Sequence, residues 1–129
     1  MVSLIDTNII IRYLADETGE LFVHSQEIMA KIRGNKLKVH ILSEVIMEVL
    51  FVLSKQYKAP LVEIVDALKN ILNFRGVVNE DKIVLIEALN VMLEKKIDFV
   101  DALICTKTKL QGYDWISFDT DLVRHCPRR

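Results

Sequence analysis

Val2-Ser3-Leu4-Ile5-Asp6-Thr7-Asn8 stands at the head of the chain, and the fold turns on how it is read. Residues 2–5 are a short apolar run, too short for a helix and suited to a strand buried on both faces. Thr7 and Asn8 supply capping chemistry, and a helix starts over residues 9–14. In parallel α/β sheets, ligand sites lie at the carboxyl ends of the strands. Asp6 occupies that address, although Asp is equally a good helix N-cap.

The pattern continues outward from there. Residues 19–33 read as a second helix, ended by the C-cap pair Gly34-Asn35. Residues 38–42 are short and β-rich, a second strand, and Ser43 is placed to cap a helix to about residue 55. Pro60 sits at a first-turn position, ahead of a helix over 61–74. Residues 75–79 are a short extended piece. From 80 to about 95, apolar residues recur at helical spacing (Ile83, Ile86, Leu89, Met92, Leu93). Asp98 and Asp101 open a helix to about residue 110, which Gln111-Gly112 breaks. Residues 113–118 are the last strand candidate, and Asp119 begins a final turn or short helix. Short strands alternating with helices predict an α/β fold with a central parallel sheet flanked by helices. With no repeat, low-complexity tract or linker, residues 1–129 read as one domain with a basic tail from about 123.

Composition narrows the class. The 129 residues are 51% hydrophobic and 27% charged, which is globular rather than disordered. Four Gly and two Pro argue against a turn-rich all-β protein. A formal charge of −1 gives no bulk attraction to nucleic acid, so any such binding needs a local basic face. Arg12, Arg124, Arg128 and Arg129 are the candidates, against the ordinary reading of surface cations as solvated. Cys105 and Cys126 lack CxxC spacing, so neither a zinc site nor a redox pair is indicated. They read as free thiols in a reducing cytosol. His24, His40 and His125 show no ligand spacing. Asp6 interrupts the first apolar run, so no signal peptide is read. No apolar stretch reaches the roughly 18 residues of a membrane span. A cytoplasmic protein without membrane contact is the expectation.

Four acidic residues fall where polar helix faces do not explain them. Glu48 lies in Val45-Ile46-Met47-Glu48-Val49-Leu50-Phe51-Val52-Leu53, apolar nearly all round, and projects between Phe51 and Val52. A lone ionised carboxylate buried there costs several kcal/mol unless paired or bound to metal. A salt bridge or a reach to solvent is the plainer alternative. Asp98 and Asp101 suit a helix start, as N-cap and first-turn acid. Asp101 also shares its face with Ala102 and Cys105, small residues beside which a carboxylate can meet partners. Asp119 follows the last strand candidate, as Asp6 follows the first, and it too can be a cap. If the strand ends meet on one edge, these carboxylates share a pocket. Close pairs repel by roughly 4 kcal/mol at an effective dielectric of 20, so such a cluster holds protons or a cation. An all-oxygen site suits a hard ion such as Mg²⁺ or Mn²⁺, the usual tool for phosphodiester chemistry.

Leu4-Ile5-Asp6-Thr7-Asn8, Glu48 in its apolar helix, Asp98-Phe99-Val100-Asp101-Ala102-Leu103 and Ser117-Phe118-Asp119 together resemble the motifs of the PIN-domain family. The likeness covers almost the whole chain, to about Leu122, and is greatest to the toxins of VapBC-type toxin–antitoxin pairs. The resemblance implies a PIN-like three-layer sandwich and a Mg²⁺- or Mn²⁺-dependent endoribonuclease acting on RNA. It also implies a homodimer and an antitoxin that blocks the acidic pocket. Asp6, Glu48, Asp101 and Asp119 match the family's acidic quartet. Asp98 and Asp121 match more variable accessory acids, Thr7 and Asn8 the polar residues beside the first Asp, and Ser117 a position where Thr is commoner. The rival within the fold is a catalytically inactive scaffold that binds RNA or protein, against which the full quartet argues. A phospho-receiver domain would want paired acids after the first strand and a Lys after the last. A dehalogenase-type phosphatase would want a second Asp where Asn8 stands. A nucleotide fold would need a Gly-rich loop. None of these is present.

Overall fold

A computed structural model describes residues 1–15 and 19–127. Its elements run in the order β1 (Ser3–Leu4), α1 (Thr7–Leu14), α2 (Glu20–Arg33), β2 (Val39–His40), α3 (Ser43–Lys55), α4 (Leu61–Leu72), α5 (Lys82–Lys95), α6 (Phe99–Gln111) and α7 (Thr120–His125). They fall into two compact units, Met1–Glu80 and Asp81–Arg129. The class is α/β, mostly helical with a small parallel sheet.

In the first unit β1 and β2 pair in parallel, with Ser3 opposite Val39 and Leu4 opposite His40. Val77 bridges to the other side of Val39, also in parallel. The Val39 N–H donates to Gly76 O (2.8 Å) and the Val78 N–H to Val39 O (2.9 Å). The extended piece predicted at 75–79 is thus a third, single-rung edge. Gly76 fits there because a Cβ would collide with the carbonyl oxygens of Leu37 and Ile32. The expected burial of β1 on both faces is corrected: Ser3 and Leu4 are both exposed, Leu4 at 67%, and burial begins only at Ile5.

The helices follow their caps. Asp6 caps α1 by accepting from the Thr7 N–H (2.8 Å). Gly34 closes α2, and Asn35 takes the left-handed turn at φ 62°. Ser43 does not cap α3. Leu42 holds the cap position, and the Ser43 hydroxyl donates instead to the Glu44 carboxylate (2.9 Å). Pro60 precedes α4 at φ −61°, compatible with its ring. Along α3 the buried residues are Ile46, Val49, Leu50 and Leu53, a one-sided stripe at i, i+3, i+4, i+7. Each contributes about 1.5–3 kcal/mol by burial.

In the second unit α5 packs on α6 and α6 on α7. The α6 residues Ala102, Cys105 and Thr106 are buried against this packing. Gly112 ends α6 with φ 78°. The strand expected at 113–118 does not form. In an extended chain successive residues face opposite ways. Trp115 turns inward at 6% exposure, which leaves Ile116 (96%) and Phe118 (105%) outside. One inward apolar residue is too little to fasten a strand. No helix among the described residues is long and apolar enough to cross a membrane.

Candidate metal centre

Asp101 lies on the buried face of α6, and Asp119 and Asp121 lie at the start of α7, which packs against α6. Each offers a carboxylate oxygen within 4.8 Å of the others. Asp101 is buried, while Asp119 and Asp121 are exposed. Local hydrogen bonds set the cluster. The Asp98 carboxylate caps α6 by accepting from the Asp101 N–H (2.8 Å). Ser117 Oγ accepts from the Asp119 N–H (2.8 Å), and the Asp119 carboxylate caps α7 by accepting from the Asp121 N–H (2.8 Å). A capping carboxylate still has lone pairs to offer, so capping and ligation are compatible at Asp119.

Burial pushes the Asp101 carboxyl above the ordinary carboxylate range, and repulsion from Asp98, Asp119 and Asp121 adds to that. Three oxygens that repel one another, one of them removed from water, suit a hard divalent cation. The donor set therefore fits the group expected from the sequence. Asp121 belongs to this cluster, although sequence reading ranks it as accessory; its place two residues after a capping Asp is the signal.

Asp6 and Glu48 belong to the first unit. Asp6 is exposed at the head of α1. Glu48 is exposed too, so its expected burial is corrected. The apolar residues around it mislead, because Met47 and Phe51 also face outward, at 42% and 59% exposure. Thr7 is buried and Asn8 exposed. Arg124 lies within α7, so the basic tail is partly helical. Arg128 and Arg129 lie outside the described residues.

The family model of the PIN domain matches residues 3–126. The chain belongs to the PIN-domain family. The match runs through both units, and PIN domains are generally nucleases that act on RNA with divalent metals. No curated protein matches this PIN domain.

Cys105 and Cys126 are joined in a disulfide, with Cα atoms 5.2 Å apart, which corrects the reading of free thiols. Short CxxC-type spacing carries no signal for this bond, because 21 residues separate the pair. Cys105 sits one turn beyond Asp101, and the bond ties α6 to the end of α7. Closing a loop of that length stabilises by about 3 kcal/mol in the chain-entropy account. Reductant, or the double variant Cys105→Ser/Cys126→Ser, is expected to lower the melting temperature by roughly 10 °C in thermal denaturation. An unchanged midpoint would refute the cross-link.

Proposed function

We propose that this PIN domain, residues 1–129 taken as one functional unit, is an endoribonuclease dependent on Mg²⁺ or Mn²⁺. In this reading it is the toxin of a type II toxin–antitoxin pair. Asp6, Glu48, Asp101 and Asp119 form its acidic site, joined by Asp121. The observation that carries the reading is the convergence of Asp101, Asp119 and Asp121 within 4.8 Å, with the Asp101 carboxyl pushed up by burial and by its acidic neighbours. Repulsion of that kind is relieved by a bound cation.

Asp101, Asp119 and Asp121 would hold the ion, with Asp6 and Glu48 completing the site. A divalent ion there supplies charge neutralisation at a phosphodiester and eases deprotonation of water. The chain's own work is positioning. Asp98 and Ser117, through the N–H groups of Asp101 and Asp119, fix where two of the carboxylates start. Asn8 and Ser117 would orient waters or substrate oxygens, and Thr7 supports Asp6 through the N–H that donates to its carboxylate. Arg12, Arg124, Arg128 and Arg129 take up backbone phosphates. Cytoplasmic location, a homodimer and an antitoxin complete this reading, the last two resting on the resemblance. The disulfide removes the thiol argument for the compartment.

The test is cleavage of structured RNA with Mg²⁺ or Mn²⁺, then with excess EDTA, beside Asp6→Asn. Cleavage that needs metal and vanishes in the variant supports the reading. Full activity of Asp6→Asn sinks the assigned site. No cleavage of any RNA, with no divalent-ion binding by calorimetry, favours the inactive scaffold.

A further inference from the structure

A pocket of about 290 Å³ opens in the first unit, lined by Asn8, Ile11, Arg12, Val52, Gln56 and Tyr57. Its walls come from α1 and the carboxyl end of α3, two helices in contact. Ile11 and Val52 supply apolar surface. Asn8 and Gln56 each carry an amide that both donates and accepts, which suits base edges and a ribose 2′-hydroxyl. Arg12 brings a guanidinium, whose fork matches phosphate oxygens. Tyr57 brings an aromatic ring at 45% residue exposure, a face on which a splayed base can stack.

The backbone fixes Tyr57 in place. Its N–H donates to Val52 O (3.3 Å), and the Ala59 N–H donates to Leu53 O (3.0 Å). Lys58 between them takes the left-handed conformation at φ 55°. This tight exit from α3 directs the chain at Tyr57, with Lys55 and Lys58 flanking it in sequence. Several lining residues follow the first unit's acids in sequence. Asn8 follows Asp6 by two residues. Val52 and Gln56 follow Glu48 by one and two helical turns, roughly 6 and 12 Å along the axis.

We infer that this pocket holds one nucleotide of a single-stranded RNA, with Tyr57 stacking on its base and Arg12 contacting its phosphate. The inference rests on the nuclease reading for the choice of RNA, and on the pocket's lining for the nucleotide. It assigns Gln56 and Tyr57 a part in binding that their sequence neighbourhood did not reveal. The mixed amide, aromatic and cationic lining suits a nucleotide, whose base, ribose and phosphate offer each of these groups a counterpart.

The experiment measures anisotropy of a short, end-labelled, single-stranded oligoribonucleotide with the full chain in EDTA, so that nothing is cleaved. Tyr57→Ala is expected to weaken binding about 5- to 100-fold, and Tyr57→Phe to stay within about twofold of the starting protein. Arg12→Ala is expected to weaken binding and to lower the slope of log affinity against log salt by about 1. Unchanged binding in Tyr57→Ala overturns the inference, as does Tyr57→Phe failing as badly as Tyr57→Ala, or no binding by the starting protein. Metal-dependent cleavage by the starting protein, with Tyr57→Ala binding normally, removes the pocket and leaves the nuclease reading standing. Tyr57-dependent binding in a protein that cleaves no RNA with either ion removes the nuclease reading and keeps the nucleotide site.

Discussion

Exchanging Asp101 for Asn is expected to lower metal-dependent RNA cleavage on the order of 10³-fold and, in the same protein, to raise the melting temperature without metal. The two effects have one cause. Asp101 is buried and faces Asp98, Asp119 and Asp121. An amide of the same shape removes a charge that a cation needs and that the metal-free fold resists. Two like charges 4 Å apart repel by about 1 kcal/mol in water and about 4 kcal/mol at an effective dielectric of 20. Asp119 and Asp121 are exposed, so water screens them and the gain sits near the lower figure. A rise of a few degrees follows. The loss of activity is set on the scale of removing one group that stabilises transition-state charge.

The pH dependence has a definite sign. Asp101 titrates higher in the folded protein than in the unfolded chain. Its contribution to stability is therefore fully present below the unfolded carboxylate range and is lost as pH rises through the raised folded value. The margin of Asp101→Asn over the starting protein should be smallest in acid and grow to a plateau toward neutral pH. Divalent ion at a hundred times its dissociation constant stabilises the starting protein by about 2.7 kcal/mol and should barely move the variant. Thermal melts across pH, with and without Mn²⁺, measure all of this. A variant that melts below the starting protein at neutral pH would show that Asp101 is structural.

What the sequence made legible is what local chemistry decides. Asp6, Asp98 and Asp119 were each placed at a helix start, and each caps one. Gly34-Asn35 and Gly112 end helices as their conformations require. These features depend on neighbours within four residues. Features that depend on partners far along the chain were hidden. The fate of residues 113–118 depended on which apolar side chains found cover, and only Trp115 did. Glu48 reads as buried because its helix is apolar nearly all round, and periodicity alone does not say that Met47 and Phe51 stay outside. The Cys105–Cys126 pairing spans 21 residues and joins a helix to the chain beyond the next one. Asp121 entered the cluster because the turn at Asp119 brings both carboxylates around toward Asp101. Of the candidate site, the residue types and the strand-end address of Asp6 were readable, while burial, grouping and the setting of Asp119, which follows no strand, were not.

Asn79→Ala is the second large effect, expected to cost about 4 kcal/mol of stability. Asn79 is buried, and its side-chain amide acts as a rung of the sheet. Oδ1 accepts from the Ile41 N–H (2.8 Å) and Nδ2 donates to Ile41 O (2.7 Å). It takes over where the main-chain bond from Val78 to Val39 ends. Ile41 is fully buried, so water cannot replace the amide. Each orphaned group costs about 1–3 kcal/mol, and two are orphaned. The melting temperature should fall on the order of 15 °C. Asn79→Asp tests the same rung by charge. An ionised carboxylate can accept from the Ile41 N–H but sets an oxygen against Ile41 O. That pairing holds the substituted carboxyl's pKa above its unfolded value, so the variant's deficit should shrink as pH falls and the protonated acid regains a donor. Ile41 directly precedes the cap of α3, which carries Glu48, Val52 and Gln56. Loosening this rung therefore frees the start of the helix on which one proposed acid and half of the proposed nucleotide pocket depend. Near its lowered melting point Asn79→Ala should lose oligoribonucleotide affinity before it loses helical signal. A variant within 2 °C of the starting protein would mean that the β2–α3 junction is held by packing of Ile41 and Ile46 alone.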